Sequence, residues 1–324
     1  AQLGFVPERN ISEATHFLKL VQAALDEDEG DGLIIALDWE KAFDRVSWDF
    51  LHQATTALGM GKVMRGRLRM MYNDAAPPQR KVKANGMRGD AFEIRSGVPQ
   101  GCPASPLIFL LVAEALSRAV EEDSSEYSDM PLRGVRVKID DMNFKEFRLT
   151  QFADDTQLLI KGFQDLYRMW ELLQEYEDAS GMRANKSKFE GIRCGALRKK
   201  EIPALPGLHA ERIRWVKPGE YVRILGIPFF EEYDINKFWD EKYAKMKSFM
   251  AAWRGHKYLT VSGANLLCNT NIMGRFRYYV QALKIPEKYV AAIESDCQAL
   301  AWSRDKGFDS EELGTLETLR RYTG

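Results

Sequence analysis

Cysteine is scarce in this 324-residue chain and never paired: Cys102, Cys194, Cys268 and Cys297 are widely scattered, with no CxxC and no histidine at metal-ligand spacing. Neither a disulfide framework nor a zinc site is indicated, and buried free thiols are the expectation. Long apolar runs are missing too. The longest, "PLIFLLVAEAL", stops well short of the roughly 20 residues that a membrane span needs, and the first residues show no charged-then-apolar signal pattern. An intracellular, soluble chain with no membrane partner follows as the expectation.

Net charge is also lacking, at −1, which taken alone argues against a nucleic-acid partner. Its distribution argues the other way. From Lys237 to Lys288, ten basic residues face three acidic ones, a local balance of +7, and residues 60 to 90 carry a balance of +6. Acidic residues gather instead at 26 to 31 and 121 to 129. Basic walls around an acidic centre suit a groove that neutralises backbone phosphates while holding metals in its middle. Charge alone fits solvated helix faces at least as well. What the chain does have is 45% hydrophobic and 29% charged residues, an ordinary globular composition with length for two or three packed substructures.

Strands and helices alternate along the first two thirds. Ser12 can cap a helix with Phe17, Leu18, Val21 and Leu25 on one face, and "LIIAL" (33 to 37) reads as a buried central strand that delivers Asp38 at its end. A helix through Trp48, Leu51 and Leu58 ends near Gly59. Pro99, Pro103 and Pro106 keep 97 to 106 non-helical, and a buried helix starts at Pro106. Residues 123 to 148 read as an irregular hairpin region, and Asp165 can cap a helix closed by Gly181. The last hundred residues read as all-helical. Trp239, Tyr243, Met246, Met250 and Trp253 recur at helical spacing, a stripe better read as core than as a base-stacking platform. Further helices open near Ser262 and Pro286.

The stretch "LTQFADDTQLLI" (149 to 160) places Asp154 and Asp155 side by side in a tight hairpin. A lone pair of this kind is most simply a tolerated turn, because aspartate accepts unusual backbone angles. Asp38, leaving a separate buried strand, changes the weighting. If those strands are sheet neighbours, three carboxylates converge, and like charges that close oppose folding unless cations sit among them. Oxygen-only ligands with room for water and phosphate describe a Mg²⁺ site, and a pair of such ions suits phosphoryl transfer.

Five motifs, "LDWEKAFDRVSW", "SGVPQGCPASPLIFLL", "FADDTQLLI", "SGMRANKSKFE" and "ILGIPF", resemble in order and spacing the palm motifs of reverse transcriptases, those of LINE-type non-LTR retrotransposons above all. "QLGFVPERNI" resembles that family's fingers motif, and "AWRGHKYLTVSGANLL" with "KIPEKYVAAIESDCQALAW" its thumb. The resemblance implies an α+β right-hand polymerase fold: partial fingers at 1–32 and 60–95, palm at 33–59 and 96–230, and helical thumb at 231–324. It implies a two-Mg²⁺ RNA-directed DNA polymerase, with Mn²⁺ as a substitute, acting on an RNA template, a DNA primer, the RNA–DNA hybrid and dNTPs. Nuclear action is implied by the family alone.

Position by position, the resemblance makes Asp38, Asp154 and Asp155 the metal-binding carboxylates, with the Trp39 backbone carbonyl as a further ligand. Phe43 falls at the steric gate against a 2′-hydroxyl. Pro99, Gln100 and Gly101 match the loop that meets the incoming nucleotide and template base. Lys188 matches the lysine that protonates or neutralises the leaving pyrophosphate, with Ala184 a departure from the motif and Lys186 a nearby rival. Arg9 matches a triphosphate contact, although Glu8 stands where the pattern has Gly. Leu225 and Gly226 match the primer-supporting hairpin. Two other classes stay open: an RNA-directed RNA polymerase, opposed by the ring at Phe43, and a catalytically impaired nucleic-acid-binding remnant or maturase-like protein. Because the chain opens inside the fingers motif and stops just after the thumb-like helices, a fragment of a larger polyprotein is expected.

Overall fold

Leu33, Ile34 and Ile35 are fully buried, as an uninterrupted apolar run requires of a strand covered on both faces. They form the middle of β1 (Asp31–Leu37), which follows α1 (Ile11–Glu27). The cap of α1 is Asn10 rather than the expected Ser12. The Asn10 side chain accepts from the backbone N–H groups of Ser12 and Glu13, and the Glu13 carboxylate accepts in return from the Asn10 N–H. This reciprocal box leaves Ser12 already inside the first turn.

The computed structural model describes residues 2–126, 128–140, 142–205, 213–254 and 259–302. The chain divides into two units, Ala1–Glu232 and Tyr233–Gly324. In the first, β1 leads into α2 (Ala42–Arg45), α3 (Trp48–Ala57), α4 (Lys62–Met71) and an exposed hairpin of β2 (Gln79–Ala84) and β3 (Met87–Glu93). Helix α5 (Ser105–Glu121) carries Pro106 in its first turn, and a second hairpin joins β4 (Val135–Lys138) to β5 (Phe144–Phe147). Then come β6 (Leu149–Phe152), β7 (Asp155–Ile160), α6 (Asp165–Ser180), β8 (Glu190–Gly195), β9 (Arg214–Trp215), β10 (Val222–Ile224) and β11 (Ile227–Phe229).

Five of these strands form one sheet in the order β6-β7-β1-β8-β9, antiparallel except for the parallel pair β8–β9. Alternation along β1 sends Leu33, Ile35 and Leu37 into one core with Trp48 and Leu51 of α3, Phe109 and Val112 of α5, and Met169 and Leu173 of α6. Helix α1 packs against β4, β6 and β8. This is the palm sheet with packed helices that a right-hand polymerase fold requires.

Two local expectations are corrected here. Asp165 does not cap α6; its buried carboxylate pairs with Arg133, at 2.8 Å to Nε and 3.1 Å to Nη2. A guanidinium from the loop before β4 outcompetes the local backbone, as charge-assisted pairs do. Of the four free thiols, only Cys194 and Cys268 are buried, while Cys102 and Cys297 are partly exposed.

The second unit contains α7 (Ile235–Arg254), α8 (Val261–Leu267), a π-helical turn Cys268–Met273, α9 (Gly274–Val280) and α10 (Glu287–Trp302). Trp239, Met246 and Met250 of the helical stripe are core residues. Lys257 of the basic stretch, and residues 303–324 of the expected thumb, lie outside the described residues.

Candidate active site

The site begins with register. β1 and β7 pair antiparallel with Leu37 opposite Thr156, so one step further Asp38 falls opposite Asp155. On the other side of β1, Ala36 opposes Glu190, which carries Lys188 to the level of Asp38. The Lys188 Nζ lies 3.2 Å from Asp38 Oδ2. Pairing continues past the strand end: the Asp38 carbonyl accepts from the Asn185 N–H at 2.7 Å, and the Glu40 N–H donates to Arg183 at 2.8 Å. These two bonds form the Trp39–Ala184 bridge without using the Trp39 carbonyl.

The second element is the β6–β7 hairpin, whose loop is Ala153–Asp154, with Phe152 opposite Asp155. Here the tolerated-turn reading is corrected. The left-handed residue is Ala153, at φ +57, and neither aspartate adopts a positive φ. Backbone strain therefore does not explain the aspartates. Buried Thr156 fixes the turn from inside: its Oγ1 accepts from Trp39 Nε1 at 3.2 Å and Gln151 Nε2 at 3.3 Å, and donates to the Asp154 carbonyl at 3.4 Å. Ser117 Oγ in turn donates to Gln151 Oε1 at 2.9 Å. Sequence reasoning missed Thr156, Gln151 and Ser117. Their one signal was polar side chains inside otherwise apolar segments, which must find partners when buried.

Burial first, then the like charges of Asp154 and Asp38, push the Asp155 carboxyl up to about 6 from an ordinary 3.8. Asp155 thus senses both Asp154 and Asp38. Among the described residues no group of three or more His, Cys, Asp or Glu side chains is close enough to hold a metal ion, and Lys188 occupies one Asp38 oxygen. The donor chemistry still fits a hard divalent cation: oxygen-only ligands whose mutual repulsion a cation would relieve.

Asp38 and Asp155 open together into a cavity of about 420 Å³ lined also by Lys188, Arg214, Arg223 and Leu225. Leu225, at φ +50, and Gly226, at φ +78, form the two-residue turn between β10 and β11 that two consecutive left-handed residues favour. Of the two expected primer-support residues, Leu225 therefore lines the cavity with Asp38 and Asp155. Lys186, the rival to Lys188, points elsewhere and bonds Glu177 at 3.1 Å.

Phe43 and the Pro99–Gly101 loop form a neighbouring assembly that does not line this cavity. The half-buried Phe43 ring stacks on Phe109 with centroids 4.6 Å apart. The loop docks on α2 through Val98 N–H to the Phe43 carbonyl at 2.7 Å and Gly97 N–H to Val46 at 2.8 Å. Gly97 has φ +81, and a Cβ there would lie 2.5 Å from the Asp44 carbonyl oxygen. Ser105 Oγ holds the Pro99 carbonyl at 2.8 Å, leaving Gln100 and Gly101 exposed. Arg9 is not brought to the carboxylates: it pairs with Glu13 at 3.0 Å and lines a separate cavity with Phe17 and Phe147. Glu8 nevertheless adopts φ +64, so the backbone keeps a conformation suited to the glycine it replaces.

A family model described as reverse transcriptase (RNA-dependent DNA polymerase) matches residues 1–229. The chain is 28% identical over 270 residues to the transposon TX1 uncharacterized 149 kDa protein of Xenopus laevis, covering 83% of this chain and 19% of that protein. It is 26% identical over 185 residues to a retrovirus-related Pol polyprotein from the type-1 retrotransposable element R2 of Popillia japonica, covering 57% and 28%. The chain thus spans less than a third of either relative. Among solved structures, telomerase from Candida tropicalis in complex with a TWJ fragment of telomeric RNA aligns over 98% of this chain and 53% of that one, at a TM-score of 0.43 and 10% identity. Apo telomerase from the same organism, truncated from its C-terminal domain, aligns over 59% and 36%, at 0.41 and 15%.

Proposed function

The chain belongs to the reverse transcriptase (RNA-dependent DNA polymerase) family, and on that premise we propose that it extends a DNA primer on an RNA template as one segment of a retrotransposon polyprotein. The observation that carries this is the register that sets Asp38 against Asp155, with both opening into one cavity beside Lys188 and the Leu225–Gly226 turn. Fingers at 1–32 and 60–95, palm at 33–59 and 96–230, and thumb at 231–324 are the division we assign.

Reverse transcriptases use divalent metal ions; here Mg²⁺ is the proposed ion, held by Asp38, Asp154 and Asp155 with the Trp39 carbonyl. When bound it would supply charge neutralisation for a triphosphate and lower the pKa of a primer 3′-hydroxyl. The primer oxygen bonds to the α-phosphorus of a deoxynucleoside triphosphate, the bond to the bridging α–β oxygen breaks, and the hydroxyl proton passes to solvent. Lys188 leaves Asp38 and donates its proton to the departing pyrophosphate. Leu225 and Gly226 support the primer strand. Phe43, immobilised against Phe109, sets a ring under the incoming sugar and excludes a 2′-hydroxyl. Gln100 and Gly101, on the loop anchored to α2 through Val98 and Pro99, meet the nucleotide and template base. Positioning and charge do the work, so no protein nucleophile is needed.

The test is primer extension on RNA with Mg²⁺, comparing dNTPs with rNTPs. Asp154→Asn abolishes extension and Phe43→Ala raises rNTP incorporation; extension surviving the first change would refute the site, and unchanged discrimination in the second would refute the gate. A second reading, a nucleic-acid-binding protein without chemistry, is favoured by the Lys188–Asp38 ion pair, which takes up a carboxylate oxygen that a metal would need. It predicts template binding in the wild type with no extension at any Mg²⁺ concentration.

A further inference from the structure

The β6–β7 turn has support from inside the fold through Thr156, but β6 is the edge of the sheet, so among the described residues no named strand supplies partners on its outer side. The segment Gln2–Gly4 lies there instead. Gln2 bridges to Gln151 in parallel, and the Leu3 N–H donates to the Gln151 carbonyl at 2.8 Å. Past that point the Gln2 side chain takes over. Its Nε2 donates to the Ala153 carbonyl at 3.0 Å, and its Oε1 accepts from the Ala153 N–H at 3.0 Å. The same Oε1 accepts from the Gly4 N–H at 2.8 Å.

One amide thus offers the strained Ala153 both the acceptor and the donor that a neighbouring strand would offer. Only a carboxamide can do this, because a carboxylate cannot donate and a hydroxyl is a single atom. The amide orientation follows from its partners: two N–H groups meet the oxygen, and a carbonyl meets the nitrogen. Gly4 completes the clamp. A Cβ there would lie 2.2 Å from the Ala153 nitrogen, so only glycine lets the two backbones approach this closely.

Building on the polymerase reading above, we infer that Gln2 is a positioning residue: its amide, with Gly4 packed behind it, locks the Ala153–Asp154 turn so that Asp154 and Asp155 face a divalent cation together. Gln2 itself touches no substrate. It acts through the turn, as residues behind a ligand commonly orient it.

The test uses the full chain with Gln2→Ala and Gln2→Glu and three readouts: hydrogen exchange of the Ala153 amide by NMR, Mn²⁺ binding by electron paramagnetic resonance without nucleic acid, and single-nucleotide addition. In Gln2→Ala, Ala153 exchange quickens, the Mn²⁺ dissociation constant rises and kcat falls, each by about tenfold or more, while KM for the dNTP and the melting temperature stay near wild type. Gln2→Glu keeps the acceptor and loses the donor, so it falls between; it decides the matter if Gln2→Ala does not fold. Wild-type exchange and Mn²⁺ affinity in the variants would overturn the inference. A wild-type chain that cannot extend a primer would refute the polymerase reading instead, and the two activity-independent readouts would still decide the role of Gln2.

Discussion

The carboxylates of the site come from two regions held in different ways. Asp38 leaves β1, a central strand paired on both sides, whose own Leu33, Ile34 and Ile35 are fully buried. Asp154 and Asp155 leave a hairpin at the sheet edge, whose loop rests on side-chain hydrogen bonds from Thr156 and Gln2 and on a left-handed alanine. Backbone ladders and apolar burial make the first region stiff whatever its neighbours do. The second depends on a few polar contacts. The proposed metal site would have one fixed wall and one that its surroundings set.

The largest effect should come from the fixed wall. Ile35→Ala, at a fully buried position, should destabilise the chain by about 3 kcal/mol in denaturant melts; a cost below that of any turn variant would break the contrast. Next, Thr156→Val keeps the shape but leaves Trp39 Nε1 and Gln151 Nε2 without their acceptor, at about 2 kcal/mol. Activity should fall more than stability does, because the Asp154 carbonyl also loses its donor.

Asp155→Asn should show the combined cost of desolvation and repulsion directly. The folded carboxyl titrates near 6, above its ordinary 3.8, so the folded state holds its proton over a window in which the unfolded state has lost it. Wild-type stability should therefore fall as pH rises from about 4 to about 6. In metal-free buffer above that window, the variant should be the more stable by about 1 kcal/mol, because the carboxyl is only partly desolvated and solvent still screens it. Added Mg²⁺ should close the gap. The smallest effect belongs to Ala153→Gly, which relieves the left-handed alanine at some entropic cost. It should stabilise by about 0.5 kcal/mol while quickening exchange of the turn amides.

The same contrast explains what could be read in advance. "LIIAL" announced a buried strand with Asp38 at its end, and Gly59 and Gly181 marked helix ends, because those signals are local and repeat known backbone rules. Asn10 displaced Ser12 as a cap, and Arg133 drew Asp165 away from capping, because the winning partner is set by geometry that spacing does not encode. Ala153, not an aspartate, bears the positive φ for the same reason. Arg9 matched a motif but turned to Glu13, one helical turn away. Gln2 and Thr156 stayed invisible as supports, since each acts through a contact that exists only once β6 and β7 have paired.

The central claim is that Asp38 and the Asp154–Asp155 turn form one catalytic centre. Single-nucleotide extension of a DNA primer on an RNA template, measured for wild type and Asp38→Asn at saturating Mg²⁺, tests it most directly. A functional wild type with a variant slowed at least about a thousandfold is the predicted result; a variant within tenfold of wild type would contradict it.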